Sequence, residues 1–260
     1  MARFETKFIS YSLCRSVEIT VIVPTATIPE SLGMFGTPAT HVKTEKYPVL
    51  YLLHGMGNSH TDWCSYANVE LFAEEQNIAV VMISGENSFY RTEQGGADFF
   101  RFVSEELPQF VTNLFPISDK PENSYIAGLS MGGYGALLHG FSHPERFAAI
   151  GEFSGAIEVG TEEERTKYKD GPYDIRNLAK QLKDAGTKMP PLYMACGEND
   201  MLYEMNVEFK NLFESYGWDI TWKNVPGYTH EWRFWNLQVE EFLKWIPRTD
   251  FYAQSRPRQV

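Results

Sequence analysis

The 260-residue sequence has little cysteine, a deficit of positive charge and no long apolar run. Its three cysteines, Cys14, Cys64 and Cys196, are too few and too scattered for a disulfide framework, and their spacing matches no metal site. No apolar run approaches the ~18–20 residues that a membrane-spanning helix needs. A disulfide-stapled scaffold and an integral membrane protein are therefore excluded.

Charge further narrows the classes of partner. The chain has 23 Lys and Arg against 34 Asp and Glu, which gives −11 at pH 7. This balance disfavours nucleic acid and anionic membrane surfaces, because both are bound through Lys and Arg. Residues 1–7 also lack the apolar core of a signal peptide. We expect a soluble protein in a reducing, cytoplasmic setting that binds neither nucleic acid nor membrane.

The pattern along the chain predicts one α/β domain over residues 1–247 and a polar, poorly ordered tail over residues 248–260. Short apolar runs predict strands at residues 17–23, 49–53, 78–83, 124–127, 147–153, 192–195 and 220–225. Helical spacing predicts helices at residues 69–76, 99–115 (with a kink or break at Pro108), 131–141, 205–216 and 231–246. Buried strands that alternate with helices indicate a mostly parallel sheet with helices on both faces.

Two segments interrupt this alternation. Residues 24–47 contain Pro and Gly and predict a surface loop. Residues 157–190 are polar and irregular, and they predict a small excursion over the sheet that stands in a position to form a lid. The charge run at residues 162–169 within this excursion is typical of a solvated helix face or loop.

A G-x-S-x-G pattern, Gly128-Leu129-Ser130-Met131-Gly132, lies between a predicted strand and a helix rich in small residues. The bare pattern is a weak signal, but strand, sharp turn and helix are the context of a nucleophile elbow. Its glycines let strand and helix approach closely, and the Met131 amide at the helix N-terminus points at a developing oxyanion. Ser130 is the predicted nucleophile; the alternative is an inert serine on a glycine-rich turn.

His230 is the predicted general base. In this architecture the nucleophile precedes the acid and the acid precedes the histidine. His230 lies in the loop between the last predicted strand and the last helix, whereas His139 lies on the helix after Ser130 and His143 at that helix's end. A catalytic histidine needs a loop at the carboxyl edge of the sheet. The alternative for His230 is a solvent-exposed loop histidine.

Asp200 is the preferred acid of the predicted triad. The strand at residues 192–195 brings it to the same edge of the sheet as Ser130. Its role is to fix the tautomer of the imidazole and to stabilise the imidazolium. Glu198, two residues earlier, remains the alternative.

A second loop, His54-Gly55-Met56-Gly57-Asn58, follows a buried strand at the same edge. Such a loop supplies the second amide of an oxyanion hole, and Met56 is the predicted donor beside Met131. We interpret His54 as a structural residue whose ring holds the loop through hydrogen bonds. The alternative for the whole loop is a plain strand-to-helix turn.

Aromatic residues are concentrated in these loops. Trp63, Phe89 and Trp232 are candidates for lining an acyl or aryl pocket, whereas Trp235 at helical spacing indicates packing. The same aromatic side chains also suit an interface between copies of the chain, so a homo-oligomer stays open.

Together these residues resemble the α/β-hydrolase family of esterases that includes esterase D, bacterial tributyrin esterases and feruloyl esterases. The resemblance spans most of residues 47–246. The stretches that carry it are Tyr51-Leu52-Leu53-His54-Gly55-Met56-Gly57-Asn58, Glu105-Glu106-Leu107-Pro108, Gly128-Leu129-Ser130-Met131-Gly132-Gly133-Tyr134-Gly135-Ala136, Cys196-Gly197-Glu198-Asn199-Asp200 and Gly227-Tyr228-Thr229-His230-Glu231-Trp232.

The resemblance implies an α/β-hydrolase fold with Ser130 as nucleophile, Asp200 as acid and His230 as base. It implies oxyanion amides from Met56 and Met131, and no metal or organic cofactor. The resulting hypothesis is a serine carboxylesterase for short-chain acyl or small aryl esters, acetyl, butyryl or cinnamoyl among them. The alternatives are a thioester hydrolase of the S-formylglutathione type or an acyltransferase on the same triad, and an inactive binding protein.

Overall fold

The computed structural model describes residues 1–36, 38–92, 95–158 and 166–260. These ranges contain an eight-stranded sheet with the strand order β1-β2-β4-β3-β5-β6-β7-β8. The strands are β1 Ala2–Ser10, β2 Arg15–Val23, β3 Val49–Leu53, β4 Ala79–Ile83, β5 Ser124–Leu129, β6 Ala149–Phe153, β7 Leu192–Gly197 and β8 Ile220–Val225. Strands β3 to β8 are mutually parallel, while β1 and β2 form an antiparallel hairpin that joins β4.

Helices cover both faces of this sheet. They are α1 Ile28–Ser31, α2 Asp62–Tyr66, α3 Val69–Gln76, α4 Phe99–Arg101, α5 Leu107–Leu114, α6 Met131–Ser142, α7 Ile175–Asp184, α8 Tyr203–Ser215 and α9 Trp232–Trp245. One buried cluster joins the sheet to α6 and α8, and a second joins it to α3 and α9. The predicted α/β-hydrolase fold, with a mostly parallel sheet between two helical layers, is confirmed.

Strand β3 shows why the central strands read as unbroken apolar runs. All five of its residues are buried. Leu50 and Leu52 belong to one core cluster, and Val49, Tyr51 and Leu53 belong to the other. A parallel strand with helices on both faces buries every side chain, so its sequence does not alternate between apolar and polar.

Strand β1 was missed by the sequence analysis because it lies at the edge of the sheet. Most of its residues are exposed or half-buried, and Lys, Arg and Glu alternate with its aromatic residues. Such charged, weakly apolar strands are common at sheet edges, where they discourage pairing with other chains. The missed helix α7 has a narrow apolar side, with only Ile175 and Ala179 buried.

The predicted irregularity at Pro108 takes the form of a π-helical turn. The turn spans Phe102–Glu106 and connects α4 to α5, in which Pro108 occupies the first turn. Proline has no amide proton, so it cannot donate to the carbonyl of Ser104. The guanidinium of Arg146 donates to that carbonyl instead. The chain therefore stays helical through the proline.

The tail over residues 248–260, for which the sequence predicts poor order, makes specific contacts with the rest of the domain. The side chain of Arg248 is fully buried and donates to the carbonyl of Gln76 at 2.8 Å, and the ring of Tyr252 stacks on Tyr47 at 4.6 Å between centroids. Near the C-terminus, Arg258 pairs with the buried carboxylate of Glu74. Because these tail side chains are polar, their ordering depends on partners that are far away in sequence.

The predicted excursion at residues 157–190 is only partly described, and its acidic run Glu162-Glu163-Glu164 with Arg165 lies outside the described residues. In the described part, α7 packs against the cluster beneath α6. Within the described ranges, no helix is both long enough and apolar enough to cross a membrane.

Candidate active site

Ser130 stands at the sharp turn between β5 and α6. Its backbone has φ 53° and ψ −117°, which an L-residue with a side chain rarely adopts. This conformation ends the strand abruptly and starts the helix at the next residue. The serine therefore sits at the carboxyl edge of the sheet and at the N-terminus of α6, the geometry expected of a nucleophile elbow.

The two glycines of the motif permit this turn. A Cβ on Gly132 would collide with the carbonyl oxygens of Leu53 and His54, and a Cβ on Gly128 would collide with the backbone of Gly132. The predicted reason for small residues, a close approach of strand and helix, thus matches the observed packing.

A chain of hydrogen bonds joins Ser130, His230 and Asp200. The Nε2 atom of His230 lies 3.0 Å from the Ser130 hydroxyl oxygen, and its Nδ1 lies 2.9 Å and 3.1 Å from the two carboxylate oxygens of Asp200. Asp200 follows β7 and His230 follows β8, so parallel strands bring both to the edge that holds Ser130. The structure therefore brings all three predicted triad residues together.

Asp200, and not Glu198, faces the histidine. Its side chain is completely buried, whereas Glu198 is exposed and accepts a hydrogen bond from Asn224. Burial by itself would raise the pKa of Asp200, but hydrogen bonds from His230, the Leu202 amide and the Ser154 hydroxyl hold that pKa below its ordinary value. Asp200 is thus an ionised carboxylate at neutral pH, as a partner that orients a histidine has to be.

His54 holds the second loop through both ring nitrogens. Its Nε2 accepts a hydrogen bond from the amide of Gly85 at 2.8 Å, so the proton resides on Nδ1, which donates to the carbonyl of Gly55 at 2.6 Å. Burial lowers the pKa of His54, which keeps the ring neutral. The hydroxyl of Tyr90 donates to the carbonyl of His54 at 2.8 Å. The structural interpretation of His54 agrees with these contacts.

The amides of Met56 and Met131 remain available for a ligand. Met131 is the first residue of α6, where an amide has no acceptor within the helix. In the part of the chain that the structure describes, neither amide donates to another protein group. Gly57, next to Met56, donates to the side chain of Asn87 at 2.8 Å, which ties this loop to the loop after β4.

Trp63 does not line a pocket, contrary to the sequence-based prediction. The residue is fully buried in the core, where its indole donates to the carbonyl of Leu53 at 3.2 Å. It belongs to the cluster beneath α3 and α9. Its indole therefore braces the end of β3 just before the loop that contains Met56.

Phe89 and Trp232 are better placed near the site. Phe89 lines a cavity of about 690 Å³ whose wall also includes Met56, Tyr134 and Ala156. Trp232 is half-buried and contacts Trp235 edge to face, with 5.4 Å between ring centroids. It is not among the residues that line this cavity. The structure thus places Phe89 in the cavity wall and Trp232 in an aromatic cluster that reaches His230 through Trp235.

Three supporting contacts of the site were not predicted from the sequence. The ring of Trp235 meets His230 edge to face at 4.9 Å, Ser154 lowers the pKa of Asp200, and Asn87 holds the amide of Gly57. Trp235 carried a helical signal of packing, which gave no hint of contact with a loop. Ser154 directly follows a predicted strand, at the same edge of the sheet as Ser130. That position is the one sequence signal from which its role could have been inferred.

Comparison with known proteins decides the family. The model of the family described as "Putative esterase" matches residues 30–246. The chain belongs to this esterase family. It is 31% identical to an acetyl esterase of Caldicellulosiruptor saccharolyticus over an alignment of 270 residues, gaps included. The alignment covers 95% of this chain and 99% of the relative. Membership in the esterase family and this full-length relative identify the chain as a carboxylic ester hydrolase.

Two further similarities extend the picture of the esterase family. The chain is 32% identical to an S-formylglutathione hydrolase of Paracoccus denitrificans over 148 residues, or 46% of this chain and 52% of the relative. Its structure resembles that of FphF, a fluorophosphonate-binding serine hydrolase of Staphylococcus aureus, with a TM-score of 0.82 and 22% identity. That alignment covers 94% of this chain and 97% of the other. At this identity the structural likeness establishes the fold.

Proposed function

We propose that this esterase is a serine carboxylesterase that hydrolyses short-chain acyl or small aryl esters through an acyl-enzyme intermediate on Ser130. The observation that carries the proposal is the continuous hydrogen-bonded chain from the Ser130 hydroxyl through His230 to the buried Asp200. The assigned roles need no metal or organic cofactor.

Acylation begins with Ser130. Its Oγ attacks the carbonyl carbon of the ester while Nε2 of His230 takes the hydroxyl proton. Asp200 holds the proton on Nδ1 and stabilises the imidazolium that forms. The amides of Met56 and Met131 donate to the oxyanion of the tetrahedral intermediate, and the positive end of α6 adds to this stabilisation. His230 then protonates the leaving alcohol, and the acyl group remains on Ser130.

Deacylation repeats the same steps with water. His230 removes a proton from the incoming water, which attacks the acyl-enzyme carbonyl. Collapse of the second tetrahedral intermediate releases the carboxylic acid, and the proton on His230 returns to Ser130. The enzyme is thereby restored without a net change in its protonation.

One observation supports small esters as the substrates: the full-length relative is an acetyl esterase. A cavity of about 690 Å³, whose wall includes Met56, has room for such an acyl group. Phe89 and Tyr134 meet edge to face at 5.6 Å in the wall of that cavity. Such a wall accepts an acetyl or butyryl group readily and also offers aromatic faces to a cinnamoyl group.

The decisive experiment compares the wild-type protein with Ser130→Ala. We would measure kcat/KM for p-nitrophenyl esters from acetate to dodecanoate, with methyl ferulate and S-formylglutathione alongside. We expect activity to peak at acetate or butyrate and to vanish in Ser130→Ala. A Ser130→Ala protein that keeps the wild-type rate would overturn the assignment.

A thioester hydrolase on the same triad is the second candidate, which the partial match to an S-formylglutathione hydrolase supports. The net charge of −11 weighs against it, because glutathione thioesters are anionic. Fast hydrolysis of S-formylglutathione without activity on any oxygen ester would favour this candidate.

A further inference from the structure

Glu152 is a glutamate buried in the sheet between the two strands that carry the nucleophile and the acid. It lies on β6, which is paired with β5 on one side and β7 on the other. Its exposed fraction is 0%, and its Oε2 atom has no hydrogen-bond partner. A fully buried, half-satisfied carboxyl group is costly, so its presence at this place calls for a reason.

The carboxyl group of Glu152 binds the backbone of Gly155. The Gly155 amide donates to Oε1 of Glu152 and also lies 3.2 Å from Oδ1 of Asn206. The side-chain amide of Asn206 donates in turn to the carbonyl of Gly155 at 3.1 Å. A Cβ at position 155 would collide with Oε1 of Glu152, so only glycine permits this close contact. Gly155 is therefore held from one side by two buried polar side chains.

The turn at residues 153–156 is bonded on its other side to the triad. The Ser130 amide donates to the carbonyl of Phe153, and the Ala156 amide donates to the carbonyl of Ser130, each at 2.9 Å. Between them, the hydroxyl of Ser154 contributes a hydrogen bond that lowers the pKa of Asp200. One short turn thus touches both the nucleophile and the acid, and Glu152 holds it in place.

The surroundings of Glu152 favour its neutral form. The titratable groups that face it are Asp200 and the buried thiol of Cys196, while α8 contributes the uncharged Asn206 and α6 contributes Gly133. Within the described residues no Lys, Arg or His forms an ion pair with Glu152. Two neighbouring buried carboxylates are strongly unfavourable, and Asp200 has His230 as its cationic partner.

The direction of the pKa shift agrees with this arrangement. Burial raises the pKa of Glu152 to about 8, the negative charge of Asp200 adds to the rise, and the hydrogen bond from Gly155 opposes it. Burial likewise raises the pKa of the Cys196 thiol, so that group stays neutral beside Glu152. At neutral pH the triad is therefore backed by one negative charge, that of Asp200.

We propose that Glu152 is a positioning residue whose neutral carboxylic acid fixes the turn at residues 153–156 and thereby orients Ser130 and Asp200 for catalysis. The inference rests on the proposed function, because it assigns Glu152 a role in the same triad. When Glu152 loses its proton in alkaline solution, a second buried negative charge appears next to Asp200. That charge destabilises the turn and opposes formation of the oxyanion on the substrate.

The test compares Glu152→Gln with the wild type over a pH series. The glutamine keeps an acceptor for the Gly155 amide but has no proton to lose. We would follow the rate at which a fluorophosphonate labels Ser130 between about pH 6 and about pH 10, since this rate reports serine activation without an ester substrate. We expect the wild-type rate to fall as the pH rises through about 8 and the fall in Glu152→Gln to shift upward by about one pH unit or more.

Matched variants separate positioning from general stability. Glu204→Gln makes the same change at an exposed site on α8, and its profile should coincide with that of the wild type. Glu152→Leu removes the acceptor for Gly155, and it should lower kcat roughly tenfold or more with a much smaller change in KM. If Glu152→Leu fails to fold, the Glu152→Gln profile alone decides.

The possible outcomes are distinguishable. A Glu152→Gln profile that superimposes on the wild-type profile overturns the inference about Glu152 and leaves the triad untouched. A wild-type protein that takes up no fluorophosphonate on Ser130 instead overturns the proposed function itself.

Discussion

The carbonyl oxygen of Ser130 accepts a hydrogen bond from the Ala156 amide at 2.9 Å, across the carboxyl edge of the sheet. With the amide of Ser130 bonded to the carbonyl of Phe153, the proposed nucleophile is held at both of its backbone polar groups. A positive φ at a residue with a side chain costs about 1–3 kcal/mol and persists only when the surroundings enforce it. The turn after β6 makes these contacts, so the backbone conformation of Ser130 depends on two neighbouring strands.

Ser130→Ala should abolish ester hydrolysis and leave the fold intact. The substitution removes only the hydroxyl, while the backbone bonds to Phe153 and Ala156 remain. We expect kcat to fall by on the order of 10⁴-fold or more, because no other group forms the acyl-enzyme. Steady-state kinetics measure the loss of activity, and far-UV circular dichroism checks that the fold is intact. Loss of activity through unfolding would show in the spectrum.

Asp200→Asn should lower kcat by on the order of 10³- to 10⁴-fold, because asparagine no longer fixes the tautomer of His230. Asp200→Asn should also be less stable than the wild type at neutral pH, and this difference should shrink in acid. The folded pKa of Asp200 lies below its ordinary 3.8, so the carboxylate stabilises the fold above that pH, and the stabilisation is lost as the pH falls through the folded pKa. The free energies of unfolding of the wild type and Asp200→Asn should therefore differ at neutral pH and approach each other as the pH falls. Urea unfolding at neutral pH and near pH 3 measures both. Glu198→Gln, at the exposed neighbour, should have little effect on either quantity.

Asn87→Ala should reduce kcat more than it raises KM. The side chain of Asn87 accepts a hydrogen bond from the Gly57 amide and so steadies the loop that presents the Met56 amide. Losing one oxyanion donor costs on the order of 10²- to 10³-fold, and loosening its loop should cost a part of that, roughly tenfold. Asn87→Asp keeps an acceptor oxygen and should retain most of the rate. Equal losses in both variants would contradict this role.

Trp63→Phe should lower the stability of the fold, whereas Phe89→Ala should change the preference for acyl length. Trp63 is fully buried and its indole hydrogen-bonds Leu53, so Trp63→Phe should cost about 1–3 kcal/mol of stability without altering preference for acyl length. Phe89 is half-buried in the cavity wall, and Phe89→Ala should shift the preferred p-nitrophenyl ester toward longer chains. Chemical denaturation and the ester series distinguish the two. A changed acyl preference in Trp63→Phe would show that Trp63 lines the substrate pocket.

Arg258→Ala should destabilise the fold from the far end of the chain. Its guanidinium pairs with Glu74, whose side chain is 2% exposed, and also donates to the carbonyl of Thr25 at 3.0 Å. Removing one partner of a buried ion pair costs about 3–5 kcal/mol, although Arg258 itself is partly exposed and the cost should lie toward the lower end. Thermal melting measures the change, with Arg233→Ala on an exposed position of α9 as the control. Equal melting temperatures for both variants would show that the contacts of Arg258 do not stabilise the fold.

The sequence alone determined the alternation of the central strands with the long helices and the identity of the triad candidates. Strands β3 and β8 begin and end where the apolar pattern predicts, and so does α3. This follows because strands buried on both faces and amphipathic helices leave local signatures in the chain. The glycines around Ser130 likewise carry a local steric requirement that is visible in the sequence. The cytoplasmic setting and the oligomeric state stay predictions.

Tertiary structure alone decided the contacts between distant segments. The contact of Asp200 with His230, the packing of Trp63 against Phe153 and the contacts of Arg248 with Gln76 and of Arg258 with Glu74 all depend on partners far away in sequence. Polar residues carry no periodic signal that names their partners, because burial is favourable for them only where a specific donor, acceptor or charge awaits. Glu152 is the clearest case, since a glutamate within an apolar strand is an anomaly until the fold places Asp200 near it and Asn206 on the same Gly155 amide.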